Sequence, residues 1–167
     1  MGVNTAAGSA IYIAPQTPSF VTLIENEAST AAAIITAAEA LAWVEVGEAE
    51  DLGEFGDEAS EITFTALKNR RVRKFKGTFN AGTITCTVGS DPTDAGQQAM
   101  IDAFASDLDF PFKVTLNDQL TITGTPTTLY FIGKVMSKRR NIGNVENVVR
   151  QNFPIGINSL IVEDAAT

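Results

Sequence analysis

Seven carboxylates, Glu45, Glu48, Glu50, Asp51, Glu54, Asp57 and Glu58, crowd one short stretch of the chain, and three kinds of chemistry could use them. A glycoside-cleaving pair needs two carboxyl groups a few ångströms apart in different environments, and this spacing places no such pair. A calcium loop needs alternating Asp or Asn with glycine at its sharp turn, an order that EAEDLGEFGDE lacks. The third use is meeting complementary charge. The chain has no histidine, which excludes His-based triads, His metal sites and imidazole acid–base catalysis. The expectation is a protein that is not an enzyme and holds no metal or cofactor.

The charge reading has a partner in the sequence. Residues 1–67 contain eleven carboxylates, Glu25 to Glu61, and no cation, whereas Lys68 to Lys76 carry six of the chain's twelve cations. Acid and base are segregated along the chain, unlike the interspersed charges of an ordinary solvated surface. Two readings stand. Either the two segments form a local hairpin with opposed charges, or the acidic segment of one subunit faces the basic segment of another. The second makes Glu48, Glu50, Asp51, Glu54, Phe55 and Asp57 inter-subunit candidates, with Arg70, Arg71, Arg73, Lys74, Lys76, Arg139 and Arg140 opposite them. Phe55, an aromatic among charges, either anchors a partner or tucks back onto its own sheet.

A net charge of −8 argues against a protein whose main task is gripping nucleic acid, because cations on phosphates dominate that binding. The single cysteine, Cys86, shares one side of an alternating run with Ile84 and Val88 and reads as a small core residue. The sequence predicts no disulfide, no signal peptide and no membrane span, and Ala6 breaks the myristoylation pattern. Cytoplasm-like conditions of synthesis follow. The 167 residues are read as one domain.

The elements that must position these residues are mostly strands. Residues 1–20 read as an extended arm with one short strand, Ser9 to Ala14, stopped by Pro15 and Pro18. A short helix is expected near Ala37 to Ala42, because the β-branched Ile34, Ile35 and Thr36 weaken a longer one. From Trp43 the hydrophobic period is two, and about nine strands are expected, including Phe110 to Leu116, Leu120 and Ile122 in LTITGT, Leu129 to Lys138, Val145 to Phe153 and Ile155 to Val162. The first half of LYFIGKVMSK is apolar on both faces, as in a central strand. Residues 47–57, with Gly47, Gly53 and Gly56, read as a long inter-strand loop. One convincing helix is expected over 94–107, where Asp94 and Gln97 resemble a capping box and Met100, Ala103, Phe104 and Leu108 fall on one core-facing side.

The order of features resembles the major tail tube proteins of long, non-contractile-tailed bacteriophages and their relatives in prophages and gene-transfer agents. It lies in the tryptophan strand running into VGEAEDLGEFGDE, then ITFTAL, KFKGTFNAGTITCTV, DPTDAGQQAMIDAF and FPFKVTLND. The resemblance covers most of 43–153. It implies a mainly β fold, a β-sandwich or partly open barrel flanked by one helix, whose inner sheets join into hexameric rings that stack head to tail. It implies further partners in tape-measure, tail-tip and tail-terminator proteins, a place in the virion, and DNA passing through the lumen without specific binding. Segment 47–57 would reach toward the neighbouring ring.

Stacked rings need two different complementary faces on each subunit, which segregated charge supplies. A lumen rich in cations would hold DNA in transit, so Glu45, Glu58 and Glu61 are the expected lumen-facing residues. Competing readings are a tube protein of a contractile tail or type VI secretion-like machine, an immunoglobulin-like glycan- or protein-binding module, and an acidic-cleft enzyme.

Overall fold

The computed structural model describes residues 5–26, 28–67, 70–121 and 123–167. Its elements are β1 (Ala10–Ile13), α1 (Pro18–Glu25), α2 (Ala31–Glu39), β2 (Val44–Glu45), β3 (Ala49–Asp51), β4 (Glu58–Thr65), β5 (Val72–Asn80), β6 (Thr83–Gly89), α3 (Ala95–Phe104), β7 (Phe110–Thr115), β8 (Thr128–Val135), β9 (Arg139–Asn141), β10 (Arg150–Ile157) and β11 (Val162–Asp164). Nine strands form one curled sheet in the order β2-β1-β7-β8-β10-β6-β3, with β11 on β8 and β9 on β10, while β4 and β5 pair only with each other. The mainly β fold agrees with the sequence reading, except that α1 adds to the two helices expected near 37–42 and over 94–107.

Strand β8 is the centre of the body. Phe131 and Val135 enter one core with Ile11, Phe112, Ile84, Cys86, Phe153 and the α3 residue Met100. Tyr130 and Ile132 enter a second core against Phe20, Ile24, Ile34 and Ala38 of α1 and α2. This is why TLYFIGKV is apolar on successive residues rather than alternate ones.

The N-terminal segment is not an arm throughout. Pro18 does stop pairing, but by opening α1, where its missing N–H and fixed φ suit the first helical turn; Phe20 and Ile24, one turn apart, are buried. Helix α2 covers Ala31–Glu39 rather than 37–42. Thr30 caps it by accepting from the Ala33 N–H at 3.3 Å, and burial of Ile34 outweighs the poor propensity of its β-branched run. Trp43 then donates its indole N–H to the Ala38 carbonyl at 2.8 Å and packs its ring 6.1 Å from that of Tyr130.

Helix α3 begins as expected at Asp94, whose carboxylate accepts from the Gln97 N–H at 2.7 Å, but ends at Phe104. Met100 and Ala103 are buried, whereas Phe104 and Leu108 are exposed, because the helix is too short to carry the stripe across the sheet. Gly96 lets its first turn rest on β2: a Cβ there would lie 2.0 Å from the Glu45 carbonyl oxygen.

Two expectations for strands change: among the described residues of 120–127 no strand forms, and the strands expected over 145–153 and 155–162 are joined in β10 across Pro154. Leu120 is exposed in an irregular segment, closed by Asp118 accepting from the Thr127 N–H at 2.7 Å and its hydroxyl at 2.6 Å; Ile122 lies outside the described residues. Residues 142–149 are an exposed hairpin tip rather than the start of a strand. Its stem is β8 and β9 against β10, and Pro154 sits at the junction between the two ladders, between Ile155↔Val135 and Asn152↔Arg139, where no ladder N–H is required.

Candidate assembly surface

Strands β3 to β6 make one long hairpin with a break in it. β3 meets β6 at Ala49↔Val88 and Asp51↔Thr87, and β4 meets β5 from Glu58↔Asn80 to Thr65↔Val72. Residues 52–57 and 81–86, equal in number, separate the two ladders, so the register carries across the break. The inner half is fixed in the body and the outer half, β4–β5, is a free ribbon.

Alternation gives the ribbon two unlike faces. Ile62 opposite Phe75 and Phe64 opposite Arg73 make the apolar face, and each of Ile62, Phe64 and Phe75 is 54% exposed. Glu61 opposite Lys76, Thr63 opposite Lys74, and Thr65 opposite Val72 make the polar face. Lys74 donates to Glu61 at 2.7 Å in an exposed ion pair, which is worth little in water. A two-stranded ribbon with both faces wet is marginal by itself.

The base of the long hairpin, at the end of β3 and β6 away from the ribbon, is held by a clamp that the sequence did not announce. Gln97, 2% exposed, donates to the carbonyls of Gly89 at 2.7 Å and Gly47 at 3.1 Å and accepts from the Asp91 N–H at 3.0 Å. Its side chain therefore binds three backbone groups instead of reaching back to close the expected capping box. Asp94 also accepts from the Gly47 N–H at 3.3 Å. Glu50 on β3 accepts from both Nε and Nη2 of Arg150 on β10, which holds its carboxyl below the ordinary range. Arg150 was not among the expected residues; a lone arginine between Val149 and Gln151 gave no sign of its partner a hundred positions away.

The predicted residues separate into several places. Glu48 occupies the turn before β3 at φ 56°, and Asp51 accepts from the Gly53 N–H at 2.9 Å. Segment 47–57 is thus partly a strand of its own sheet. Phe55 is half-buried with its ring 5.9 Å from Phe131, so it tucks inward and is not a projecting anchor. Glu54 and Asp57 are exposed beside the break. Glu58 and Glu61 are on the ribbon, whereas Glu45 is on β2 at the opposite edge of the sheet, so the three expected lumen residues do not share one surface. Arg70 and Arg71 are exposed at the ribbon tip, Arg73, Lys74 and Lys76 along β5, and Arg139 and Arg140 on β9. The local hairpin reading holds for Glu61 with Lys74; Glu48 to Asp51 stand at the other end of the long hairpin from Arg70 to Arg73.

Cys86 is fully buried, and burial pushes its thiol up to about 12. Among the described residues, no three His, Cys, Asp or Glu side chains gather as metal ligands would, and no helix is long and apolar enough to cross a membrane.

No protein-family model matches the sequence, and no curated protein matches it. Solved structures match in fold. A chain from the sheath/tube terminator of the PVC extracellular contractile injection system, in the extended state, superposes with a TM-score of 0.67 at 9% identity, covering 99% of this chain and 99% of that one. A chain of the anti-feeding prophage baseplate gives 0.66 at 8% identity over 99% and 98%. The SPP1 tail tube gives 0.55 at 13% identity over 93% of this chain and 78% of that one. The chain has a phage tail tube-like fold, as the resemblance in its sequence implied.

Proposed function

We propose that this chain is a non-catalytic tube subunit of a phage tail or a related injection machine. Copies join into hexameric rings that stack head to tail, in a particle whose tape-measure, tip and terminator proteins are its other partners, and DNA passes through the lumen. The observation that carries this is the β4–β5 ribbon, whose apolar residues Ile62, Phe64 and Phe75 lie open to water in the single chain. Neighbouring subunits would cover that face and relieve an unpartnered edge.

The polar face then lines the lumen. It presents Glu61, Thr63 and Thr65 with Val72, Lys74 and Lys76, a wall in which Glu61 offsets one of the two lysines and is the one of the three expected lumen residues on this face. One uncompensated lysine per copy, Lys76, keeps phosphate contacts few, and the closer the wall is to neutral the less it holds a duplex.

A contractile-type tube is the second reading. It is favoured by the fuller overlap with the two contractile-system chains, 99% of this chain against 93% for the SPP1 tube. Negative-stain electron microscopy over a concentration series, with light scattering on the same samples, tests the tube itself. Rings or hollow tubes are expected, and Arg73→Glu with Lys74→Glu should leave a folded chain that forms neither. Wild-type chain that stays monomeric at every concentration, even with a preformed tube end added as seed, would sink the proposal.

A further inference from the structure

The two ends of strand β10 carry features of opposite shape and charge. At its Arg150 end is the hairpin tip 142–149, where Ile142 is 68%, Val145 104% and Val148 67% exposed. At its Ile157 end is a cleft of about 490 Å³ at the ribbon root, whose lining includes Phe79, Ile157 and Leu160. Nothing in the single chain requires three aliphatic residues at a tip rich in asparagine and glycine, where solvated turns are normally polar.

Charge distinguishes the ends as well. The stem of the tip bears Lys138, Arg139 and Arg140, all exposed, against the single carboxylate Glu146. Arg150 at the stem is already engaged by Glu50. The cleft is rimmed by the carboxylates Glu25 and Asp57. An apolar knob with a basic collar and a half-polar cleft that holds two carboxylates thus sit at opposite ends of one strand, whose seven residue steps span about 23 Å at the usual rise.

We infer that the 142–149 tip of one copy seats in the cleft of the next copy along the tube axis, with Arg139 and Arg140 meeting Glu25 and Asp57. The contact is heterologous and does not close, so repeating it generates an open stack rather than a dimer. It moves the charge pairing between rings away from the β5 cations and onto the β9 arginines. This inference rests on the tube reading and specifies its axial contact.

Cysteine cross-linking tests it on the full chain, since buried Cys86 will not compete for a thiol reagent. V145C and L160C chains mixed in equal amounts and treated with a short bis-maleimide should give a mixed dimer, and neither alone should give one. A charge swap provides the second measurement. Arg139→Glu with Arg140→Glu should raise the concentration needed for tubes about tenfold or more while rings persist, and adding Glu25→Lys and Asp57→Lys should restore it. Wild-type tubes with no mixed cross-link, or V145C linking to itself, would overturn the axial contact and leave the tube reading standing. Wild-type chain that forms no ring or tube would overturn both.

Discussion

Strand β8 and the β4–β5 ribbon are written in similar letters, TLYFIGKV against EITFT and VRKFKG, yet one is buried on both faces and the other is wet on both. The difference lies in what the rest of the chain supplies. Around β8 stand β7, β10 and β11 at its edges, the inner core on one face and α1 with α2 on the other. Around β4–β5 the chain supplies only the second strand of the pair. A pattern of alternating aromatic and β-branched residues therefore reports that a surface is to be covered, not which molecule covers it. In the body the cover is intramolecular; in the ribbon, under the proposed assembly, it would come from another chain.

The sharpest way to break that comparison is to truncate one phenylalanine in each region. Phe131 is fully buried and stacks 5.7 Å from Phe112, so Phe131→Ala should cost about 4 kcal/mol of unfolding free energy. Phe75→Ala, at a half-exposed site, should move the monomer's stability by less than about 0.5 kcal/mol but impair assembly. Urea denaturation of both variants, with microscopy of the second, checks the pair. Equal losses of stability would mean that the ribbon's apolar face packs within its own chain.

The next effect lies within the body, at the base of the long hairpin that carries the ribbon. Replacing Gln97 by leucine keeps its size but leaves the Gly47 and Gly89 carbonyls and the Asp91 N–H without their partner. At about 1 kcal/mol or more for each buried unsatisfied group, a loss of about 3 kcal/mol is expected, seen as a lower urea midpoint. Faster amide exchange at Gly89, whose N–H bonds the Glu48 carbonyl, should accompany it if the clamp fixes the base of the hairpin.

These two regions also show how much was readable beforehand. The period-two pattern marked β7, β8 and β10, and the doubled apolar density of 129–133 identified the central strand, because burial on two faces leaves a compositional trace. The start of α3 was legible from Asp94 and Gln97. What stayed hidden were pairings over long sequence separation: Glu50 with Arg150, and Gln97 with Gly47. Short polar motifs carry no record of a distant partner. Val145 and Val148 misled because apolar residues next to a strand look like its continuation, though here they are exposed, and Leu120 misled likewise where Asp118 had already closed the chain into a turn. Phe55 could be read in either direction until Phe131 was seen beside it.

A smaller, pH-dependent effect follows from Glu50. Its carboxyl is lowered from 4.5, first by the hydrogen bond from Arg150. A depressed carboxylate stabilises the fold above its unfolded pKa, and that contribution fades as pH falls through the lower folded value. Glu50→Gln should therefore lower the melting temperature slightly near pH 7, and the gap to wild type should close below about pH 4. Both groups are exposed, so added salt should narrow the gap at neutral pH too. A gap independent of pH and salt would mean that Glu50 acts by packing and not by its charge.

The smallest expected effect favours the variant. Glu48 is the one non-glycine residue with positive φ among those described, held at 56° where its carbonyl accepts from the Gly89 N–H at 2.9 Å. For an L residue the left-handed region costs about 1 kcal/mol, which glycine escapes, although glycine's extra freedom in the unfolded chain returns part of that gain. Glu48→Gly should thus stabilise the chain by roughly 0.5 kcal/mol, or about 1–2 °C in melting temperature for a domain of this size. Because the side chain is exposed and the turn belongs to the body, the gain should appear in the monomer's melting curve and leave the concentration for assembly unchanged. Were assembly to weaken instead, the Glu48 carboxylate would belong to the surface between subunits, and the division between a self-sufficient body and a dependent ribbon would have to be redrawn through β3.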